Sequence, residues 1–159
     1  MFKKIILLVL FTFLLSRPAV ATGGVEYNLP YPGILPDSPV YVLKVMRENI
    51  FSFFIRDPKQ KAFYQLFLSD KRLAAGLALV GKKNYDLGET TILKSQEYFT
   101  QAVDLAVKLK DPDLTAKLIV SGSKHEELIS GLAGSEKNQK ALAADQKDKN
   151  RVLELSTPQ

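Results

Sequence analysis

Three times ahead of an apolar run this chain sets a side chain able to cap a helix directly before a proline: Ser38-Pro39, Asp57-Pro58 and Asp111-Pro112. The pairing is a helix-start signal. The side-chain oxygen satisfies a free N–H of the first turn, and proline's missing N–H is no loss at the first helical position. Between these points apolar residues recur at three- and four-residue intervals, the spacing of one helix face. No segment has the two-residue alternation of a strand. The chain is thereby restricted to an all-α fold.

The spacing predicts a first helix over about 39–55, with Val40, Leu43, Met46, Ile50, Phe53 and Phe54 as its inner stripe. A second, over about 58–80, buries Ala62, Phe63, Leu66, Phe67, Leu73, Ala74 and Leu77, and Gly81 is suited to close it. A third runs to about Leu109 on Tyr85, Ile92, Phe99, Ala102, Val103 and Ala106. A fourth starts at Pro112 and carries Leu114, Leu118, Ile119, Leu128, Ile129 and Leu132 to Gly134. Ser135 can cap a fifth, but 145–151 is nearly all polar, so only Leu142, Val152, Leu153 and Leu155 anchor it and it is expected to be loosely held. Four to five amphipathic helices with short connections predict an antiparallel bundle. Pro30, Pro32, Pro36 and Pro39 forbid a helix before it, so residues 22–38 form an extended proline- and glycine-rich arm.

The N-terminus follows a different logic. Lys3 and Lys4 precede an apolar run from Ile5 to Leu15, then Arg17, Pro18 and the small-residue triplet Ala19, Val20, Ala21. That is the pattern of a secretory signal peptide over residues 1–21, cleaved after Ala21. The run is about half the roughly 20 residues that a membrane span needs. The expected location is therefore outside the cytoplasm: secreted, periplasmic or on the cell surface. The organisation read from the sequence is 1–21 signal peptide, 22–38 arm, 39–134 helical domain and 135–159 polar C-terminal helix and tail.

Removing Lys3, Lys4 and Arg17 from the 22 basic residues leaves 19 against 17 acidic ones, a net charge of +2, which takes away most of the case for a nucleic-acid partner. There is no cysteine. Disulfides, thiolate metal sites and cysteine catalysis are excluded, and stability must come from helix packing.

The segment LPDSPVYVLKVMRE, followed by RDPKQKAFYQLFLSDKRLAA, resembles a bacterial family of exported helical proteins filed as a domain of unknown function. Leu35, Pro36, Asp37, Ser38, Pro39, Tyr41, Leu43 and Lys44 match its L-P-D-S-P-x-Y-x-L-K opening motif, and Asp70, Lys71, Arg72, Leu73 and Ala74 match its second helix. The likeness covers about residues 30–85 and extends more weakly to Lys124–Leu128. Members usually carry Glu after the R-L-A run, where this chain has Ala75 and Gly76. The resemblance implies an exported helical fold of unassigned activity.

Two charged residues lie on expected inner stripes. Asp70 is three residues from Phe67 and Leu73, and Arg47 is three from Ile50 and four from Leu43 and Phe51. The expectation is an ion pair across the first hairpin, Arg47 with Asp70, with Lys44 or Arg72 as further partners. His125 is the only histidine and falls on the apolar stripe of the fourth helix, which reads as packing. A zinc-peptidase pair would need a second histidine four residues on, where Ile129 stands. No serine sits in a G-x-S-x-G elbow and no G-K-[ST] loop is present. The Ser121-Gly122-Ser123 triplet suits a close helix crossing. No catalytic, metal or cofactor site is therefore expected. Phe51, Phe53, Phe54, Phe63 and Phe67 read mostly as core, with one or two exposed, since Phe51 and Phe53 point about 160° apart on a helix.

These features favour an exported non-enzymatic module that binds or spaces another envelope component, through the arm or an exposed helix groove. The partner is an envelope protein, with membrane contact only through an uncleaved signal or at the periphery. Alternatives are a metal-handling protein or enzyme using His125, and a small periplasmic-type chaperone. The arm's own Tyr27, Leu29, Tyr31, Ile34 and Leu35 must either strap onto the bundle or lie free.

Overall fold

A computed structural model of the chain describes residues 25–132 and 134–156. The expected leader, with Ala19 and Ala21, lies outside the described residues. Those described form an arm and five helices packed antiparallel, with no strand: α1 Tyr41–Phe54, α2 Pro58–Gly81, α3 Tyr85–Leu109, α4 Pro112–Ser130 and α5 Glu136–Ser156.

The Asp-Pro signals act as read. The Asp57 side chain accepts from the backbone N–H of Lys59 and Gln60, and Asp111 accepts from that of Leu114 at 2.9 Å. Ser135 likewise caps α5 through the N–H of Asn138. Ser38-Pro39 differs. The backbone passes through a turn closed by Ser38 N–H to Leu35 C=O, and α1 begins at Tyr41 with no side-chain cap. The left-handed residue after α2 is Lys83, not Gly81.

α2 and α3 form the most extensive pairing, and α5 packs along both α3 and α4. The α2/α3 crossing is close because two glycines face each other. A Cβ on Gly76 would lie 2.8 Å from the Gly88 carbonyl oxygen, and one on Gly88 would lie 3.0 Å from that of Gly76. Gly76 thus sits where only glycine fits. Gly122 does the same against the Phe99 ring, as its triplet suggested.

Two apolar layers fill the bundle. One holds Ala62, Leu66, Phe99, Ala102, Val103, Ala106, Leu114, Leu118 and Val152, and the other Leu73, Ile92, Ile129 and Ala141. Between them each of α2 to α5 contributes polar residues: Ser69 and Asp70 from α2, Ser95 and Gln96 from α3, Ser121 and His125 from α4, Asp145 and Asp148 from α5, all buried. α5 is held more closely than its apolar content implies. Its inward seam is Asn138, Ala141, Asp145, Asp148 and Val152, spaced alternately three and four apart, and polar contacts such as Thr100 Oγ1 donating to Asp148 supply what greasy side chains do not.

α1 reverses its expected orientation. The stripe Val40, Leu43, Met46, Ile50, Phe53 and Phe54 faces solvent, with Phe53 82% exposed and Ile50 54%, while the buried residues are Lys44 and Glu48, at 5% and 4%. Phe51 and Phe67 are exposed too, so of the five clustered phenylalanines only Phe63 packs against the core. Tyr85 also lies outside. Among the described residues no helix is long and apolar enough to cross a membrane.

Candidate functional site

Two buried polar assemblies fix the outer elements to the bundle. The first mounts α1. Arg72 of α2 donates from Nη2 to Glu48 Oε2 at 2.6 Å, with both side chains almost wholly buried. Its guanidinium lies 5.5 Å from the ring centres of both Tyr41 and Tyr98, so it is sandwiched between aromatic faces. Lys44 stands one helical turn before Glu48 and donates to the carbonyls of Pro32 and Ile34 at 2.7 and 3.0 Å. Burial pulls the Lys44 ammonium down to about 8, with Glu48 opposing the shift. Tyr64 O–H donates to the Glu48 carbonyl. A buried guanidinium without its carboxylate is severely unfavourable, and this requirement turns the polar side of α1 inward.

The motif residues are the joint between arm and α1. Asp37 pairs with Lys82 at 3.1 Å, Tyr41 covers Arg72, and Lys44 ties back to the arm. Leu43 instead joins the outward face.

The second assembly is the polar layer, centred on Asp70. Its carboxylate accepts from Tyr27 O–H at 2.5 Å, Ser121 Oγ–H at 2.9 Å and the His125 Nε2–H at 2.8 Å. A carboxylate only accepts, so His125 must carry its proton on Nε2. Its Nδ1 faces Asp145 Oδ1 across 3.8 Å, and its ring packs at a tilt against that of Phe99. Burial pushes the Asp145 carboxyl up to about 8, with Glu126 and Asp148 adding and Lys149 opposing. Neither Asp145 oxygen has a hydrogen-bond partner among the described residues. Burial, then Asp70, raise the Tyr27 hydroxyl above its ordinary value.

Tyr27 makes the arm a strap. Val25 N–H donates to Glu127 and Leu29 packs against the Leu73 layer, whereas Tyr31 stays exposed. Beside Tyr27 an open cleft of about 380 Å³ is lined by Pro30, Phe63, Phe67, Asp70 and Lys117.

The expected Arg47–Asp70 pair does not form. With α1 turned by roughly half a revolution from the expected orientation, Arg47 is exposed and Asp70 pairs with His125. Of the four candidates, the structure brings together Arg72 and Lys44 around Glu48, a residue the sequence reading passed over. Its signal was its place four after Lys44, opposite the apolar stripe. Ser121, His125 and an aspartate have the composition of a catalytic triad, but Ser121 and His125 are 0% exposed and both hydrogen-bond one Asp70 oxygen. A triad places the imidazole between nucleophile and acid, open to substrate. As built, the assembly locks α2, α4 and the arm. Asp70 and Asp145 lie against opposite ring nitrogens, so one ion cannot touch both and the ring, and among the described residues no group of three or more His, Asp or Glu could hold a metal ion.

A family model described as "Domain of unknown function (DUF5667)" matches residues 33–157, from just before the Leu35–Lys44 motif through all five helices. No curated protein and no solved structure gives a significant match. The chain therefore belongs to this family of domains of unknown function.

Proposed function

We propose that this protein is an exported, non-enzymatic helical module that binds or spaces another component of the cell envelope, and that the outward face of α1 is its docking surface. The observation that carries this reading is the mounting of α1. Val42, Phe53, Met46, Ile50, Leu43 and Phe54 fall in that order around one arc of the helix, each more than half exposed, opposite the buried Lys44–Glu48 side. At roughly 1.5–3 kcal/mol for each apolar side chain fully buried, six such residues hold on the order of 10 kcal/mol of unrealised burial. A contiguous patch of this kind marks an interaction surface. The leader pattern and the A-x-A site support export with cleavage after Ala21, and the opening motif supports a shared way of mounting α1.

A small periplasmic-type chaperone would also use an exposed apolar helix, but α1 presents a convex ridge, not a concave client-binding face. A reading through His125 would need solvent to reach a ring that is fully enclosed.

Photo-crosslinking residues placed at Ile50 and Phe53 in cells test the proposal. The expected result is adducts from both positions to an envelope component, and none from Asn150 on the outer side of α5. Absence of adducts from α1, or a chain retained in the cytoplasm with an intact N-terminus, would overturn it.

A further inference from the structure

We infer that the occupant of the α1 face is an anionic lipid surface, with α1 lying in the plane of the membrane interface. This rests on the docking role proposed above and names its partner. Four observations select lipid over a protein groove or a second copy.

The first is the charge around the face. Arg47 on its flank and Arg56 just beyond its end are exposed, and neither forms an ion pair among the described residues. The only acid of α1, Glu48, is turned inward and neutralised by Arg72. Asp57, next to Arg56, is engaged as the cap of α2. The exposed charge carried by α1 itself is thus cationic, complementary to acidic headgroups.

The second is composition. Phe53 and Phe54 meet edge to face at 5.8 Å, and with Met46, Ile50, Leu43 and Val42 they form an unbroken aromatic and aliphatic ridge with no exposed acid within it. The third is shape. A 14-residue helix is about 21 Å long, too short to span a bilayer but long enough to embed one face along the interface. The cleft beside it, where Phe53 meets Lys61, Gln65, Glu97 and Gln101, is lined mostly by polar side chains and offers no seat for an apolar peptide.

The fourth is the mounting. Interfacial helices ordinarily turn their polar side to water; here that side is bolted to the bundle through Lys44, Glu48 and Arg72, so insertion of the apolar side requires no rearrangement of the protein. α1 is joined to α2 through side chains, Arg72 and Tyr64 to Glu48, and not through close backbone packing.

Vesicle flotation of the protein as the cell produces it, with phosphatidylglycerol-containing and pure phosphatidylcholine vesicles, tests the inference. Wild type should float with the anionic vesicles. Ile50→Glu/Phe53→Glu should weaken this on the order of 100-fold, because two anchors are lost and two acids gained. Arg47→Gln/Arg56→Gln should weaken it roughly tenfold while leaving the weaker binding to neutral vesicles unchanged. All four positions are exposed, so unchanged melting curves certify the fold. Failure of wild type to float overturns the lipid assignment, as does flotation indifferent to the α1 substitutions, which would place binding in the N-terminal apolar run. A concentration-dependent dimer abolished by Phe53→Glu would replace lipid with a second copy and leave the docking role standing. If flotation, self-association and crosslinks from α1 are all absent, the lipid assignment and the docking role both fall.

Discussion

Replacing Asp70 by alanine removes the acceptor on which three elements converge. Tyr27 of the arm, half-buried, can turn its hydroxyl to water, but Ser121 and His125 are fully enclosed and are left with only their long 3.4 Å contact with each other. Leaving each of these two donors unsatisfied costs about 1–3 kcal/mol, which agrees with about 3–5 kcal/mol for stripping one partner from a buried pair. A loss of about 4 kcal/mol in a domain of this length lowers Tm by roughly 10–15 °C. Thermal melts followed by far-UV circular dichroism read it directly. The attribution to His125 is checked by a double-mutant cycle with His125→Leu, where a coupling of about 1.5–3 kcal/mol is expected for a charge-assisted hydrogen bond. A melt of Asp70→Ala within about 3 °C of wild type, or strictly additive effects in the cycle, would refute the claim that this contact bonds α2 to α4.

Other substitutions separate the remaining parts of the account. Asp145 has a folded-state pKa raised from 3.8 to about 8, so its stabilising contribution is complete below the lower value and is lost as pH rises to the upper one. Asp145→Asn should flatten the fall in stability between these pH values and melt above wild type at alkaline pH; parallel pH profiles would contradict this. Gly76→Ala drives a methyl against the Gly88 carbonyl and should destabilise by about 1–3 kcal/mol, seen in urea titration; an unchanged midpoint would deny the close crossing. Lys44→Met removes the donor to Pro32 and Ile34, and limited proteolysis should then cut the arm near these residues, whereas the wild-type strap is protected; equal cutting would argue against the tether. Ile50→Glu should leave stability within about 0.5 kcal/mol, because its side chain already faces water; a large loss would mean that α1 is buried.

Periodicity disclosed the helices because a buried face must repeat with the helical turn, and Asp57, Asp111 and Ser135 marked their starts for equally local reasons. It placed Asp70 and His125 on inward stripes correctly. It could not pair them, since spacing along one helix says nothing of which residue arrives opposite from another. α1 shows the deeper limit. An amphipathic pattern reveals that an apolar side exists, not that the same chain covers it, and the decision was made by Arg72, whose buried charge required Glu48. The seam of α5 escaped for a related reason. Asp145 and Asp148 keep the three-four rhythm of a core seam but are polar, so a count of greasy residues read the helix as weakly anchored.

The mounting of α1 is measured most directly by single-cysteine accessibility, which the cysteine-free chain allows without further alteration. Ile50→Cys, Phe53→Cys and Met46→Cys should react rapidly with a polar maleimide in the lipid-free protein, and Val45→Cys and Ser52→Cys, on the side facing the bundle, slowly. The reverse order would show the greasy side of α1 packed inward, and the docking face would not exist.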